Sequence, residues 1–169
     1  MKPQDVVILL KIIAGNSEDW QQVPLADALK MSQSEVSQSV ARSKYAGLLE
    51  SSGKKVMRLA VMDFLQYGLA YVFPQKPGPI VRGVPTAHSA PPLNTIIKSN
   101  ELFVWPSAKG KARGQSILPL YPSVIQAAEQ DEKLYQLLAL ADALRVGRAR
   151  ERKLAVAELK KRIFNGENR

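Results

Sequence analysis

Proline in the middle of the chain is the feature that most restricts how it can fold. Six of the 11 prolines lie between residues 74 and 92. Because proline fixes φ and has no backbone N–H, this stretch does not suit a regular helix or a central strand. Ile80, Val81 and Val84 interrupt it, so we expect an extended segment pinned along the protein surface rather than a disordered one. The chain is therefore predicted to have three parts, 1–73, a proline-rich linker at 74–100, and 101–169.

The first part has the pattern of four short helices joined by tight turns. The first helix is predicted from about Pro3 to Ala14, with Gly15 at its end, as helix-terminal preferences favour. Apolar residues surround it, so it is expected to be buried. Further helices are predicted over Pro24–Lys30, from Ser32 to about Leu48, and from Arg58 to about Gly68.

The third predicted helix has a clear start signal and an informative face. Ser32-Gln33-Ser34-Glu35 is a capping box, in which the side chains of Ser32 and Glu35 satisfy free backbone N–H groups. The face opposite the apolar stripe is polar and nearly free of acid, which suits insertion into a major groove; an ordinary solvated face is the alternative. That face consists of Ser34, Gln38, Ala41, Arg42 and Tyr45, flanked by Ser37 and Lys44.

A short hairpin is predicted directly after this helix. Gly53 can supply the positive φ of a tight turn, and Lys54 and Lys55 follow it at the tip. Lysines in this position are suited to contact phosphate, which orients a domain on DNA without recognising its sequence.

Residues 3–70 resemble the winged helix-turn-helix regulators, particularly the bacterial multiple-antibiotic-resistance-regulator type. The resemblance is carried by Leu25-Ala26-Asp27-Ala28-Leu29, by Ser34 to Ala46, and by Gly47-Leu48-Leu49 leading into the wing. It implies a sequence-specific transcriptional regulator of double-stranded DNA, a repressor that acts as a homodimer. The wing is short for that family, and dimerisation is expected to come from another part of the chain. The DNA-contacting residues are predicted to be Ser32, Gln33, Ser34, Ser37, Gln38, Arg42, Lys44, Tyr45, Lys54 and Lys55.

Two later stretches carry a second resemblance. Pro79–Ala87 and Ala139–Arg152 are similar to regulators encoded beside nucleotidyltransferase-like toxins or in phage-defence loci. This similarity implies an alternative function, that of an antitoxin whose C-terminal half binds and neutralises a partner toxin.

The third part is predicted to contain a short β-hairpin followed by helices. Glu101–Pro106 has the pattern of a strand, and Gln115–Leu120 is its candidate partner. Helices are predicted over Asp131–Val146 and Arg148–Phe164, where leucine and alanine recur at helical spacing. The fold class is therefore mainly α, with an N-terminal winged helix-turn-helix, a proline-rich extended segment, a short hairpin and C-terminal helices.

The formal net charge of +9 is concentrated outside the first part. A basic balance of this kind favours polyanionic partners, although many basic surfaces are merely solvated. Trp105 beside the basic loop could stack on a base, but a core position is favoured for it. The candidate phosphate or partner contacts are Arg82, Lys109, Lys111 and Arg113 around the predicted hairpin, and Arg148, Arg150, Arg152 and Lys153 in the last helix.

The chain offers little for catalysis or metal binding. Cysteine is absent and His88 is the only histidine, so we expect no metal, no cofactor and no thiol chemistry. An enzyme acting on nucleic acid through carboxylates such as Asp142 is disfavoured, because neither paired carboxylates nor a phosphate loop is visible. The apolar run near the start is too short to cross a bilayer, so we predict a cytoplasmic protein without a membrane partner.

Overall fold

The computed structural model describes residues 1–165 and is mainly α, as predicted. The remaining residues of the predicted third part, 166–169, lie outside the described residues. The helices are α1 (Pro3–Gly15), α2 (Gln22–Leu29), α3 (Gln33–Tyr45), α4 (Arg58–Tyr67), α5 (Leu69–Val72), α6 (Val124–Glu129), α7 (Glu132–Val146) and α8 (Ala149–Phe164). The strands are β1 (Ile80–Pro85), β2 (Phe103–Pro106) and β3 (Ala112–Ser116), and short 3-10 turns cover Ala87–Ser89 and Leu93–Thr95.

Helix α1 is largely buried. Every residue from Val6 to Leu10 is buried, as predicted from the apolar residues around the whole helix. Helix α3 packs against one side of α1 and helix α7 against another. One continuous hydrophobic core therefore joins the first and third parts of the chain.

The turns around α3 follow the sequence signals closely. Ser32 and Glu35 form the predicted capping box. Helix α3 ends at Tyr45, a little earlier than predicted, because Gly47 adopts a φ of 75° and reverses the chain. Gly53, with a φ of 78°, then turns the segment that brings Leu49 opposite Val56 in a single antiparallel bridge.

The predicted linker and hairpin are wrong in two respects. The strand that organises the small sheet lies inside the linker, and the two later strands do not form a hairpin with each other. Strand β1 pairs antiparallel with both β2 and β3. Strands β2 and β3 pair with each other in parallel, with Phe103 opposite Gln115, rather than as an antiparallel hairpin. Prolines flank β1 at Pro79 and end it at Pro85, so the N–H groups between them remain free to form ladder hydrogen bonds.

Two glycines, which have no side chain, allow the three strands to pack closely against one another. A Cβ on Gly83 would lie 1.9 Å from the carbonyl oxygen of Trp105, and a Cβ on Gly114 would lie 2.4 Å from that of Leu102. Both separations are far shorter than two such atoms tolerate, so these strands pack this tightly only with glycine at both positions.

A buried polar cluster fixes the sheet on α7. Asp142 accepts hydrogen bonds from Thr86 Oγ1 and Trp105 Nε1, each at 2.7 Å, and from Arg145 Nη1 at 3.0 Å. Burial raises the pKa of Asp142, and the neighbouring Arg145 guanidinium opposes that rise. Arg145 also donates to the carbonyl oxygens of Phe73 and Leu118. The carboxylate that sequence analysis weighed as a catalytic group is thus enclosed and fully hydrogen-bonded within the core.

Candidate nucleic-acid interface

Helix α3 presents one polar face to solvent and one small, apolar face to the core. Val36, Ser39, Val40 and Ser43 are buried. The solvent face contains side chains that are short or uncharged over most of its length, and Tyr45 at its end is 97% exposed. The exposed residues are Ser34, Ser37, Gln38, Ala41, Lys44 and Tyr45, preceded by Gln33.

The start of α3 is held by residues from the first and the third part of the chain. Ser32 Oγ accepts the N–H of Glu35 at 3.1 Å, so this hydroxyl serves as the helix cap. The Glu35 carboxylate accepts the N–H of Ser32 at 2.9 Å and the hydroxyl of Tyr121 at 2.6 Å. The Tyr121 hydroxyl and the Ser32 N–H lower the pKa of Glu35 by stabilising its charged form. A residue of the third part therefore helps to fix the orientation of α3.

Arg42, predicted to contact DNA, turns away from the solvent face and pairs with Asp5 of α1. Its Nε lies 2.9 Å from Asp5 Oδ2, and its Nη2 lies 2.7 Å from Asp5 Oδ1. Asp5 is fully buried and also accepts the backbone N–H of Lys2 at 2.8 Å. Because a buried carboxylate needs a compensating cation, this pairing holds α3 on α1.

The short hairpin after α3 is fastened to the loop between α1 and α2. Trp20 Nε1 donates to the carbonyl oxygen of Lys54 at 2.8 Å. The ammonium group of Lys54 lies 4.7 Å from the centre of the Trp20 ring and donates to the Trp20 carbonyl oxygen. Lys54 is thus engaged within the protein, whereas Lys55 beside it is exposed.

Lys44 connects the solvent face of α3 with the tip of this hairpin. A Cβ on Gly53 would lie 3.2 Å from Lys44 Cδ, so the lysine stem lies against the turn. The exposed face of α3 therefore continues through Lys44 to the turn at Gly53, and Lys55 is exposed two residues further along the chain.

A second group of predicted contacts lies together on the small sheet. Arg82 of β1 and Arg113 of β3 are directly opposite each other and both are exposed. Lys109 and Lys111, in the loop between β2 and β3, are exposed as well. The four cations that sequence analysis placed around a hairpin are therefore neighbours on one surface.

The third group lies at the start of α8. Arg148, Arg150, Arg152 and Lys153 are all exposed, as their sequence pattern predicts. Arg152 and Lys153 line a groove together with Tyr67 and Tyr71, which sequence analysis did not select. These tyrosines are exposed, although large apolar rings in helices usually face the core.

The remaining candidates have structural roles. His88 is buried, its Nε2 lies 2.8 Å from the carbonyl oxygen of Glu101, and its ring meets Phe103 edge to face at 4.8 Å. Trp105 is buried in the core, so it is not placed to stack on a base.

The described residues contain neither a metal-binding cluster nor a membrane-spanning helix. Among residues 1–165, no group of three or more histidine or acidic side chains is close enough to hold a metal ion. No helix in that described range has the length and apolar character needed to span a membrane.

Asp5, Trp20 and Tyr121 are the residues of this region that sequence reasoning missed. An acidic residue at the start of a helix is ordinarily explained by the helix dipole. The signal that could have been used is that Asp5 is the only acid in a helix that is largely apolar, which calls for a cationic partner.

The chain was compared with protein-family models, with curated proteins and with solved structures, and no match was found in any of the three.

Proposed function

We propose that this protein is a sequence-specific regulator that binds duplex DNA with α3 in the major groove. The observation that carries the proposal is the exposed, almost acid-free face of α3. Ser34, Ser37 and Ala41 have short side chains, which let a helix approach base edges closely. The Gln38 amide carries both a donor and an acceptor, the combination that pairs with the major-groove edge of adenine.

The neighbouring cations suit the backbone of the same duplex. Lys44 and Lys55 are exposed beside the α3 face, and each supplies a charge for phosphate without sequence preference. The pairing of Lys54 with Trp20 supports this role indirectly, because it holds the hairpin at a defined position next to α3.

A homodimer is part of the proposal. One helix in one major groove contacts only a few base pairs, whereas two copies related by a two-fold axis would contact a palindromic site with half-sites roughly 34–36 Å apart. Binding at such a site within a promoter would repress transcription by excluding the polymerase.

The test is binding of the full chain to its own upstream DNA and to a scrambled duplex of the same composition at near-physiological salt. Gln38→Ala should reduce the preference for the upstream DNA by roughly 5- to 150-fold, the equivalent of about 1–3 kcal/mol for one paired base contact. Gln126→Ala is the matched control, since Gln126 is also an exposed glutamine on a helix. Equal binding of the wild-type protein to both duplexes would refute sequence-specific recognition.

The groove formed by α4, α5 and α8 supports a second candidate function. Exposed tyrosine and arginine are the residue types that dominate protein interfaces, and Tyr67, Tyr71 and Arg152 lie together there. We therefore keep the proposal of an antitoxin that neutralises a nucleotidyltransferase-like toxin through its C-terminal half. Where such a toxin is encoded beside the gene of this protein, co-expression of the protein should restore the growth of cells that produce the toxin. The double variant Tyr71→Ala, Arg152→Gln should not restore growth.

A further inference from the structure

We infer that the outward face of the small sheet is a second binding surface for the phosphates of duplex DNA. It is formed by Arg82, Arg113, Lys109 and Lys111, and we refer to it as the sheet surface. The inference rests on the proposed function in one respect, because the ligand is taken to be the duplex that α3 also binds.

The central pair of the sheet surface is electrostatically unfavourable in the free protein. Arg82 and Arg113 are opposite one another in the antiparallel ladder, so their side chains leave the sheet on the same side. Like charges in that arrangement repel, and a sheet without a ligand would gain from an opposite charge at either position. In the part of the chain that the structure describes, the ion pairs involve none of the four residues of the sheet surface.

The loop that carries the two lysines is folded back onto β1. Ser107 donates its backbone N–H to the carbonyl oxygen of Arg82 at 3.0 Å. A Cβ on Gly110 would lie 2.2 Å from the carbonyl carbon of Gly83, so the loop backbone lies directly on the strand. The loop backbone that carries the two lysines is therefore held on β1, which lowers the backbone entropy lost when they bind a ligand.

The composition of this region favours a polyanion. Between residues 76 and 113 the sequence has six lysines and arginines and a single acidic residue, Glu101. The tryptophan of this region, Trp105, is buried, so the sheet surface lacks the stacking ring typical of sites for single strands. Charge without stacking is the chemistry that binds the backbone of a duplex.

The sheet surface is also close enough to α3 to share one duplex. Arg113 precedes Tyr121 by eight residues, which limits their Cα separation to roughly 29 Å. The Tyr121 hydroxyl lies 2.6 Å from Glu35 in the first turn of α3. Because the two side chains and their hydrogen bond add to this limit, it lies somewhat above one helical turn of DNA, roughly 34 Å, and both surfaces can lie on a duplex of several turns.

The test measures the salt dependence of DNA binding by the full chain with the double variant Arg82→Gln, Arg113→Gln. Fluorescence anisotropy with a duplex of about 40 bp, nearly four turns, gives the dissociation constant at several KCl concentrations. The slope of log K against log salt is negative, and each lost phosphate contact reduces its magnitude by about 0.9, so a reduction of roughly 1.8 is expected for two contacts. Lys133→Gln with Lys160→Gln removes the same two charges from exposed helix positions elsewhere and should leave the slope unchanged.

The preference for upstream over scrambled DNA is recorded in the same titrations and separates the two proposals. A slope of smaller magnitude in the double variant, with its preference for upstream DNA retained, supports the sheet surface. An unchanged slope in the double variant overturns it while leaving recognition by α3 intact. The titration is repeated with an RNA probe, and a double variant that loses affinity for RNA alone also overturns the sheet surface as a site for DNA. Equal binding of the wild-type protein to both duplexes refutes sequence recognition. A slope of smaller magnitude in the double variant would still support the sheet surface in that case. Thermal unfolding confirms that the variants fold, and Lys109→Gln with Lys111→Gln provides an independent pair for the same measurement.

Discussion

Arg42→Ala is expected to destabilise the protein. A measurement of this loss of stability distinguishes a positioning role of Arg42 from the DNA-contacting role that its sequence position indicates. The substitution leaves the Asp5 carboxylate buried with the backbone N–H of Lys2 as its remaining partner among the hydrogen bonds described. An uncompensated carboxylate in the core is unfavourable because it has lost both water and its counter-charge.

The size of the expected loss in the free energy of unfolding follows from how exposed Asp5 and Arg42 are. The Asp5 side chain is 0% exposed and that of Arg42 is 26% exposed. Breaking a fully buried pair costs about 3–5 kcal/mol, and breaking a surface pair costs about 0–1 kcal/mol. With one end buried and the other partly solvated, we expect the free energy of unfolding to fall by about 2–3 kcal/mol, which corresponds to a decrease in Tm of roughly 4–12 °C.

Lys44→Ala is the control, because it removes a cation from the exposed face of the same helix. Its free energy of unfolding should stay within about 0.5 kcal/mol of the wild type in urea denaturation. If Arg42→Ala is as stable as Lys44→Ala and loses only its DNA preference, then Arg42 contacts DNA and the positioning role is refuted.

The same pair predicts an acid dependence of stability. Burial raises the pKa of Asp5, but the hydrogen bonds from Arg42 and Lys2 outweigh it, so the pKa lies below the ordinary value of 3.8. The stabilisation is therefore fully present above pH 3.8 and is lost as the pH falls through the lower pKa of the folded state. Asp5→Asn should remove this part of the dependence, and the difference in stability between wild type and variant should shrink below pH 3.8.

Three further predictions concern the sheet, the core and the hairpin. Gly83→Ala should destabilise the protein by at least 1–3 kcal/mol, the approximate cost of overpacking, because its Cβ would meet a backbone carbonyl at 1.9 Å, whereas Gly15→Ala has open space around it and should change Tm little. Asp142→Asn should cost about 3–5 kcal/mol in urea denaturation, because it leaves a buried arginine without its counter-charge. Lys54→Ala should shift the fluorescence emission of the protein, to which Trp20 and the buried Trp105 both contribute, while costing only about 0.5–1 kcal/mol, as for an exposed cation–π pair; an unchanged emission would show that the hairpin is not fastened through this contact.

Local signals in the sequence predicted the first part of the fold well. The capping box at Ser32 and Glu35 and the turn at Gly53 depend on residues within three or four positions of one another, so the sequence contains all the information they need. The burial of α1 was likewise predictable, because a helix that is apolar on every side has no face to give to water.

Contacts between distant residues could not be predicted in the same way. Arg42 and Asp5 are 37 positions apart, and the helical periodicity of α3 alone places Arg42 on its solvent side. Strand β1 was not predicted for a related reason. The local density of proline indicated an extended linker, while the residues that pair with β1 lie 19 to 35 positions later in the chain. Both errors arise because tertiary partners decide the outcome once local propensity allows two structures.

These long-range contacts determine the unit on which function has to be measured. Helix α1 contacts α3 through Asp5 and Arg42, and its Lys11 pairs with Asp131 at the start of α7 at 2.6 Å. A fragment ending at residue 73 would retain α3 but would expose the side of α1 that α7 covers. A failure of such a fragment to bind DNA would therefore report the loss of its core, and only the full chain can test recognition by α3 and by the sheet surface.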